Sequence, residues 1–162
     1  VGAGNDFDLL GGEAALRAII EDFTARVFSD VMIGFLFAGK NHARITEMEY
    51  QFAAQHLGGG VAYSGRTIRN AHRSSPIMGG HFMRRRQILA NTLAAHGVDP
   101  AIVKRWLDHV DSLRDQVLGA GDAGGSECDH DDQMRRLGRE SGSVDAKTDA
   151  KKGLTRLPVF GD

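Results

Sequence analysis

Residues 63–82, YSGRTIRNAHRSSPIMGGHF, decide how this chain reads, and within them His72 matters most. Turn signals bracket it, Ser64-Gly65 before and Ser74-Ser75-Pro76 after, so His72 falls at the end of a short helical turn and not in the middle of a helix. A helix end fixes the position of a side chain yet leaves one face of the imidazole free. A rigid metal-ligand histidine needs both.

Working outward, apolar residues recur at helical spacing on both sides. From Gly12 onward Leu16, Ile19, Ile20, Phe23 and Val27 form one stripe, with Glu13 and Glu21 on the other sides and Thr24 at its edge. Ser29-Asp30 marks a corner, and Phe35-Leu36-Phe37 is a short apolar run closed by Ala38-Gly39. A second helix is expected from about Asn41 to Leu57, where Ile45, Met48, Glu49, Phe52 and His56 share an arc of about 100°. Gly58-Gly59-Gly60 breaks it. A third helix from Gly80 carries Phe82, Leu89, Leu93 and His96 along one side, with Arg84, Arg85 and Arg86 largely outside. Gly97 suits its stop, and Asp99-Pro100 supplies an N-cap and a first-turn proline for a fourth helix with the stripe Ile102, Trp106, Val110, Leu113 and Val117. Four long amphipathic helices predict an all-α fold of two sandwiched helix pairs around one core.

Leu57-Gly58-Gly59, Tyr63-Ser64-Gly65, Ala71-His72 and His81-Phe82 occur in an order and spacing that resembles the truncated haemoglobins of the 2-over-2 globin type, most like group I. With Asp22-Phe23 and the FLFAG run at 35–39, the resemblance covers roughly residues 9–118. It implies haem b held non-covalently, with His72 as proximal iron ligand. It also implies a pocket built from Phe23, Thr24, Phe37, Ile45, Met48, Glu49, Phe52, Tyr63, Ile68, Ile77, Phe82 and Leu89. Arg66, Arg69 and Arg73 are candidates to meet a propionate. Thr24 aligns with a position often held by a tyrosine that hydrogen-bonds bound dioxygen, and its shorter hydroxyl puts strong oxygen stabilisation in doubt.

Two positions on the second helix stay open. Met48 matches the place from which some truncated globins supply a histidine or lysine as an internal sixth ligand; a thioether is a soft ligand able to do the same, or it simply fills a gap in the core. Glu49 lies where glutamine is common, and a desolvated carboxylate there is a candidate catalytic proton donor, or it swings to the rim and pairs with Arg44 or solvent. His56, His81, His96 and His109 read as rim, surface or satisfied core histidines. An internal Met48 ligand implies electron transfer or redox and gas sensing, with a reductase or redox partner. An open site implies binding of O2, NO or CO, with NO dioxygenase or peroxidase-like activity. An all-α interaction domain without haem fits the helices as well, and it predicts a colourless protein.

The rest of the chain narrows these classes. A length of 162 suits one domain and a tail. Lys and Arg total 20 against 21 Asp and Glu, so no global field recruits nucleic acid or an anionic membrane. The basic clusters Arg84 to Arg86 and Arg135-Arg136 read as solvated faces. The single cysteine, Cys128, excludes an intrachain disulfide and has no CxxCH context for c-type haem attachment. No run of about 18 apolar residues exists to span a membrane, and the opening residues lack the pattern of a secretory signal, so the expected location is cytoplasmic. Residues 1–8 are glycine-rich and expected to fray, 9–119 to form the globin domain, and 120–162 to be a linker and tail, disordered or docked. Cys128, Asp129, His130 and Asp131 have metal-ligand chemistry but adjoin one another, and read as solvated tail. The LTRLPVF segment at 154–160 could dock on the domain or on a partner.

Overall fold

The computed structural model describes residues 4–119. The readings of the tail, including Cys128 to Asp131 and the segment 154–160, fall outside the described residues. Those described form helices α1 (Asp6–Leu10), α2 (Gly12–Ser29), α3 (His42–Leu57), α4 (Ile68–His72), α5 (Gly79–Ala95), α6 (Pro100–Ser112) and α7 (Arg114–Leu118), with a 3-10 turn at Gly34–Phe37, and no strand among them. Helix α2 packs on α3 and α5, and α5 packs on α6 and α7, so two helix pairs lie one over the other. The all-α sandwich expected from the four stripes is the fold observed.

The local chemistry accounts for the boundaries. Leu16, Ile20 and Phe23 of α2 are at most 2% exposed, and they anchor a core shared with Leu57, Leu89, Leu93 and Trp106. Asn41 caps α3 through its side-chain oxygen, which accepts the Arg44 N–H at 2.9 Å. Gly58, at φ 90°, ends α3 in a conformation that favours glycine. Asp99 caps α6 by accepting the Ala101 N–H at 2.7 Å, with Pro100 in the first turn.

Three features depart from the sequence reading. The fourth stripe is broken: α6 stops at Ser112, whose hydroxyl donates to the His109 carbonyl at 2.6 Å, and α7 begins anew at Arg114. That break sets α7 against α4, the helix that bears His72.

The start of the chain is helical from Asp6, not frayed to Asp8. Asn5 caps α1 by accepting the Asp8 N–H at 2.9 Å and reaches across to donate to the Gly58 carbonyl at 2.9 Å. Asp6 pairs with Arg105 at 2.6 Å, and Phe7 lies over Gly59 so closely that a Cβ there would sit 2.6 Å from the ring.

The three consecutive arginines form no common solvated face. Arg84 bonds Asp30, Arg85 bonds Glu49 and Arg86 bonds Asp111, each at 2.6–2.7 Å. At about 100° per residue they diverge over half the circumference of α5.

Candidate functional site

His72 closes a helix of five residues. Thr67 caps that helix with its hydroxyl, and the His72 carbonyl accepts the Ser75 N–H at 2.9 Å as the chain turns away. The imidazole Nδ1 lies 2.7 Å from the Ile68 carbonyl. A carbonyl can only accept, so Nδ1 carries the proton and Nε2 keeps its lone pair. Burial pushes the imidazole below its ordinary pKa, with the Ile68 carbonyl opposing, so the ring is neutral at pH 7. A neutral ring oriented by a main-chain carbonyl suits a metal-ligand histidine.

His72 faces a cavity of about 670 Å³, within the range of small-molecule and cofactor sites. Phe23 and Ile20 from α2 line it, as do Leu36 and Phe37 from the 3-10 turn and Ile45, Met48, Glu49 and Phe52 from α3. Ile68 and Ile77 flank His72, Tyr63 comes from the loop, and Phe82 and Leu89 come from α5. Lys40, Arg44 and Arg66, all exposed, stand where the cavity opens, with no carboxylate partner among the described residues. Apolar walls, an oriented histidine and cations at the mouth fit a flat apolar macrocycle with acidic substituents.

Three residues expected at the pocket, Arg69, Arg73 and Thr24, do not line it, and Arg73 is exposed just past the end of α4. Arg69 is exposed on the outer side of α4, since the turn that points Ile68 and His72 inward points residue 69 out. Thr24 is 2% exposed, and its hydroxyl is turned back into α2, 2.8 Å from the Ile20 carbonyl and 2.9 Å from the Thr46 hydroxyl. A threonine inside a helix reaches the carbonyl four residues back more easily than a cavity beyond its neighbours.

Arg85 is the polar group that the sequence reading missed. It lies three residues after Phe82 and four before Leu89, and so on their face of α5. Its guanidinium reaches Glu49 at 2.6 Å and sits over the Phe23 ring, 4.9 Å from the centroid. Glu49 therefore faces the cavity and accepts from Arg85, not from Arg44 at the rim.

The histidines also join the wall. His56 and His109 stack with ring centroids 3.8 Å apart and planes 5° from parallel, and Phe52 stacks on His109 at 5.6 Å. Burial lowers the pKa of both rings; Asp6 partly offsets this at His56, and the His56 neighbour adds to it at His109. His81 lines the cavity and meets Phe35 edge-on at 5.6 Å. Tyr63 packs edge-on against Phe52 at 5.3 Å, and burial followed by the nearby Glu49 charge raises its phenol pKa.

Comparison with known proteins places this geometry. The bacterial-like globin family model matches residues 5–119. A group 1 truncated haemoglobin of Mycolicibacterium paratuberculosis is 31% identical over 118 residues, 73% of this chain and 86% of that protein. The crystal structure of the truncated haemoglobin of Tetrahymena pyriformis in its Fe(III) form superposes with a TM-score of 0.68 at 27% identity, over 72% of this chain and 99% of that one. A 2/2 haemoglobin from a Synechococcus species, described with covalently attached haem, agrees in fold with a TM-score of 0.67 at 24% identity, over 71% and 98% of the two chains. The four-helix sandwich, the cavity with His72 on its wall and these matches lead to one assignment: the chain belongs to the bacterial-like globin family, as a truncated haemoglobin of the group 1 kind.

Proposed function

We propose that this globin holds haem b non-covalently through His72, offers Met48 as a competing internal ligand, and serves in electron transfer or in redox or gas sensing with a reductase or other redox partner. Haem binding, and with it the binding of diatomic gases such as O2, belongs to the family. The observation that carries the assignment to His72 is the Nδ1–H bond to the Ile68 carbonyl, which leaves Nε2 as the free donor of a neutral ring on an apolar cavity wall. When bound, haem supplies a redox-active iron. The chain's own residues do the rest. Phe37, Phe52 and Ile77 exclude water, Lys40, Arg44 and Arg66 offer cations to the propionates, and the Met48 thioether lies on the same cavity as His72.

Optical spectra of the haem-loaded protein, ferric and then dithionite-reduced, test this reading. The expected result is a six-coordinate ferrous spectrum in the wild type and a five-coordinate one in Met48→Ala, with haem uptake abolished or rendered labile in His72→Ala. Non-covalent retention predicts that acidified butanone extracts the haem completely.

A second reading keeps His72 but leaves the other iron face open, with binding of O2, NO or CO and NO dioxygenase or peroxidase-like turnover. The Arg85–Glu49 pair on the cavity wall favours it, because it places charged groups beside the space a ligand would fill. Five-coordinate ferrous spectra in both wild type and Met48→Ala would select it. A protein that stays colourless with ample haem would sink both readings.

A further inference from the structure

The cavity of a haem-binding pocket is usually described by its apolar walls, yet here one wall carries a complete ion pair. Arg85 Nη2 donates to Glu49 Oε1 at 2.6 Å, and each side chain is 29% exposed, both of them on the cavity. The two adjacent arginines spend their guanidinium groups differently. Arg84 binds Asp30 through Nε and Nη2, and Arg86 binds Asp111 through Nε and Nη2, two hydrogen bonds each. Arg85 makes one. A guanidinium has five N–H donors, so most of those on Arg85 remain uncommitted.

Other polar side chains line the cavity as well, among them His56, His81 and His109 in its wall and the exposed Lys40, Arg44 and Arg66. Of its lysines and arginines, however, Arg85 alone is paired, among the described residues, with a carboxylate that also lines it. Thr24 spends its hydroxyl on the Ile20 carbonyl and the Thr46 hydroxyl and does not line the cavity, and Tyr63 carries its phenol end against Gly65 in the loop after α3. Helices α2 and α3, which hold Arg85 through Phe23 and Glu49, border the cavity together with α4, which carries His72 and packs on α7.

We propose that Arg85 makes this pocket selective for small anions over neutral ligands, with Glu49 as the counter-charge that sets the strength of that selectivity. The inference rests on the reading of the cavity as a haem site with an exchangeable ligand position. A guanidinium donor beside an anion in a low-dielectric cavity forms a charge-assisted hydrogen bond, and the same donor gains little from a neutral diatomic ligand. With Glu49 present the pair is neutral, so an incoming anion shares Arg85 with the carboxylate. Removing either partner changes the local charge by one unit, and the two removals act in opposite directions.

The experiment is a titration of the haem-loaded ferric protein with azide and of the ferrous protein with carbon monoxide, for wild type, Arg85→Leu, Arg85→Lys and Glu49→Gln. Arg85→Leu leaves a carboxylate facing the ligand, and the azide dissociation constant is expected to rise about tenfold or more. Glu49→Gln leaves a free guanidinium, and azide is expected to bind several-fold more tightly, with Arg85→Lys close to wild type. Carbon monoxide affinity is expected to change by less than about threefold throughout, while its C–O stretching frequency rises in Arg85→Leu. A merely structural role for the pair would weaken both ligands together.

Azide affinity moving the same way in Arg85→Leu and Glu49→Gln, or in parallel with carbon monoxide, would overturn the proposal. If Arg85→Leu fails to take up haem, Glu49→Gln and Arg85→Lys still decide the sign. Haem bound by His72 with azide affinities equal across the set would remove this inference alone, whereas no haem uptake by the wild type would remove the haem reading with it.

Discussion

A buried hydroxyl has one proton to give; that of Thr24 lies 2.8 Å from the Ile20 carbonyl, which can only accept, and 2.9 Å from the Thr46 hydroxyl, a bond in which either threonine can donate. Thr24→Val keeps the shape and removes both bonds, leaving Thr46 to find another partner. The expected loss is about 1 kcal/mol of stability, read from the denaturant midpoint, with azide and carbon monoxide affinities unchanged because this hydroxyl does not reach the cavity. A change in ligand affinity would show that Thr24 turns inward after all.

The sequence shows which face of α2 is buried, since Leu16, Ile20 and Phe23 mark it. It does not show where a side chain at the edge of that stripe sends its hydroxyl, because the choice between a carbonyl one turn back and a cavity is made by neighbours on α3. Arg85 was hidden for a different reason. Three arginines in a row look like one charged unit, yet the spacing 82, 85, 89 already put the middle one on the apolar face.

Helix α1 and the end of α3 form a single unit. Asn5 donates to the carbonyl of Gly58, and Phe7 lies on Gly59, where any Cβ would collide with its ring. Gly59→Ala is expected to destabilise the protein by about 1–3 kcal/mol through overpacking. In a double-mutant cycle, Phe7→Ala should recover much of that loss, so the two changes combine to less than their sum. Strict additivity in thermal or denaturant unfolding would mean that α1 does not dock there in solution.

The glycine pair after Leu57 was legible as a helix stop, and its second use, as a seat for an aromatic ring from more than fifty residues upstream, was not. Local sequence reports on bonds within a turn. It carries no mark of a partner so distant, and Val1–Asp8 by itself offered only a glycine-rich start. The same limit explains the fourth stripe. Its periodicity runs unbroken through Leu113, yet α6 ends at Ser112, where the Ser112 hydroxyl bonds the His109 carbonyl and the Leu113 N–H turns to the Val110 carbonyl at 3.1 Å.

Across the whole molecule, the stacked imidazoles of His56 and His109 join α3 to α6 while Asp6 and Arg105 tie α1 to α6. Burial holds both histidines below their ordinary pKa. The unfolded chain therefore takes up protons that the folded one resists. This contribution to stability is fully present above the ordinary histidine value of about 6.5 and is lost as pH falls from there towards the folded values. The carboxyl of Asp6, lowered chiefly by its hydrogen bond from Arg105, adds a loss in a separate and more acidic window. The thermal midpoint of the wild type should fall on going from pH 7 to about 5, and His109→Phe should flatten that slope by removing one titrating ring while keeping the stack on Phe52. An unchanged slope would exclude His109 as a source of it.

Lys40, Arg44 and Arg66 at the opening act before any contact is made. Exposed like charges at the edge of a cavity draw oppositely charged solutes from a distance of about a Debye length, near 10 Å in 0.1 M salt and longer when salt is dilute. The bimolecular rate constant for azide should therefore fall steadily as sodium chloride is added, while that for carbon monoxide stays level, a contrast that stopped-flow mixing resolves. The chain carries almost no net charge, so that slope would report on three side chains at an entrance and not on the charge of the protein.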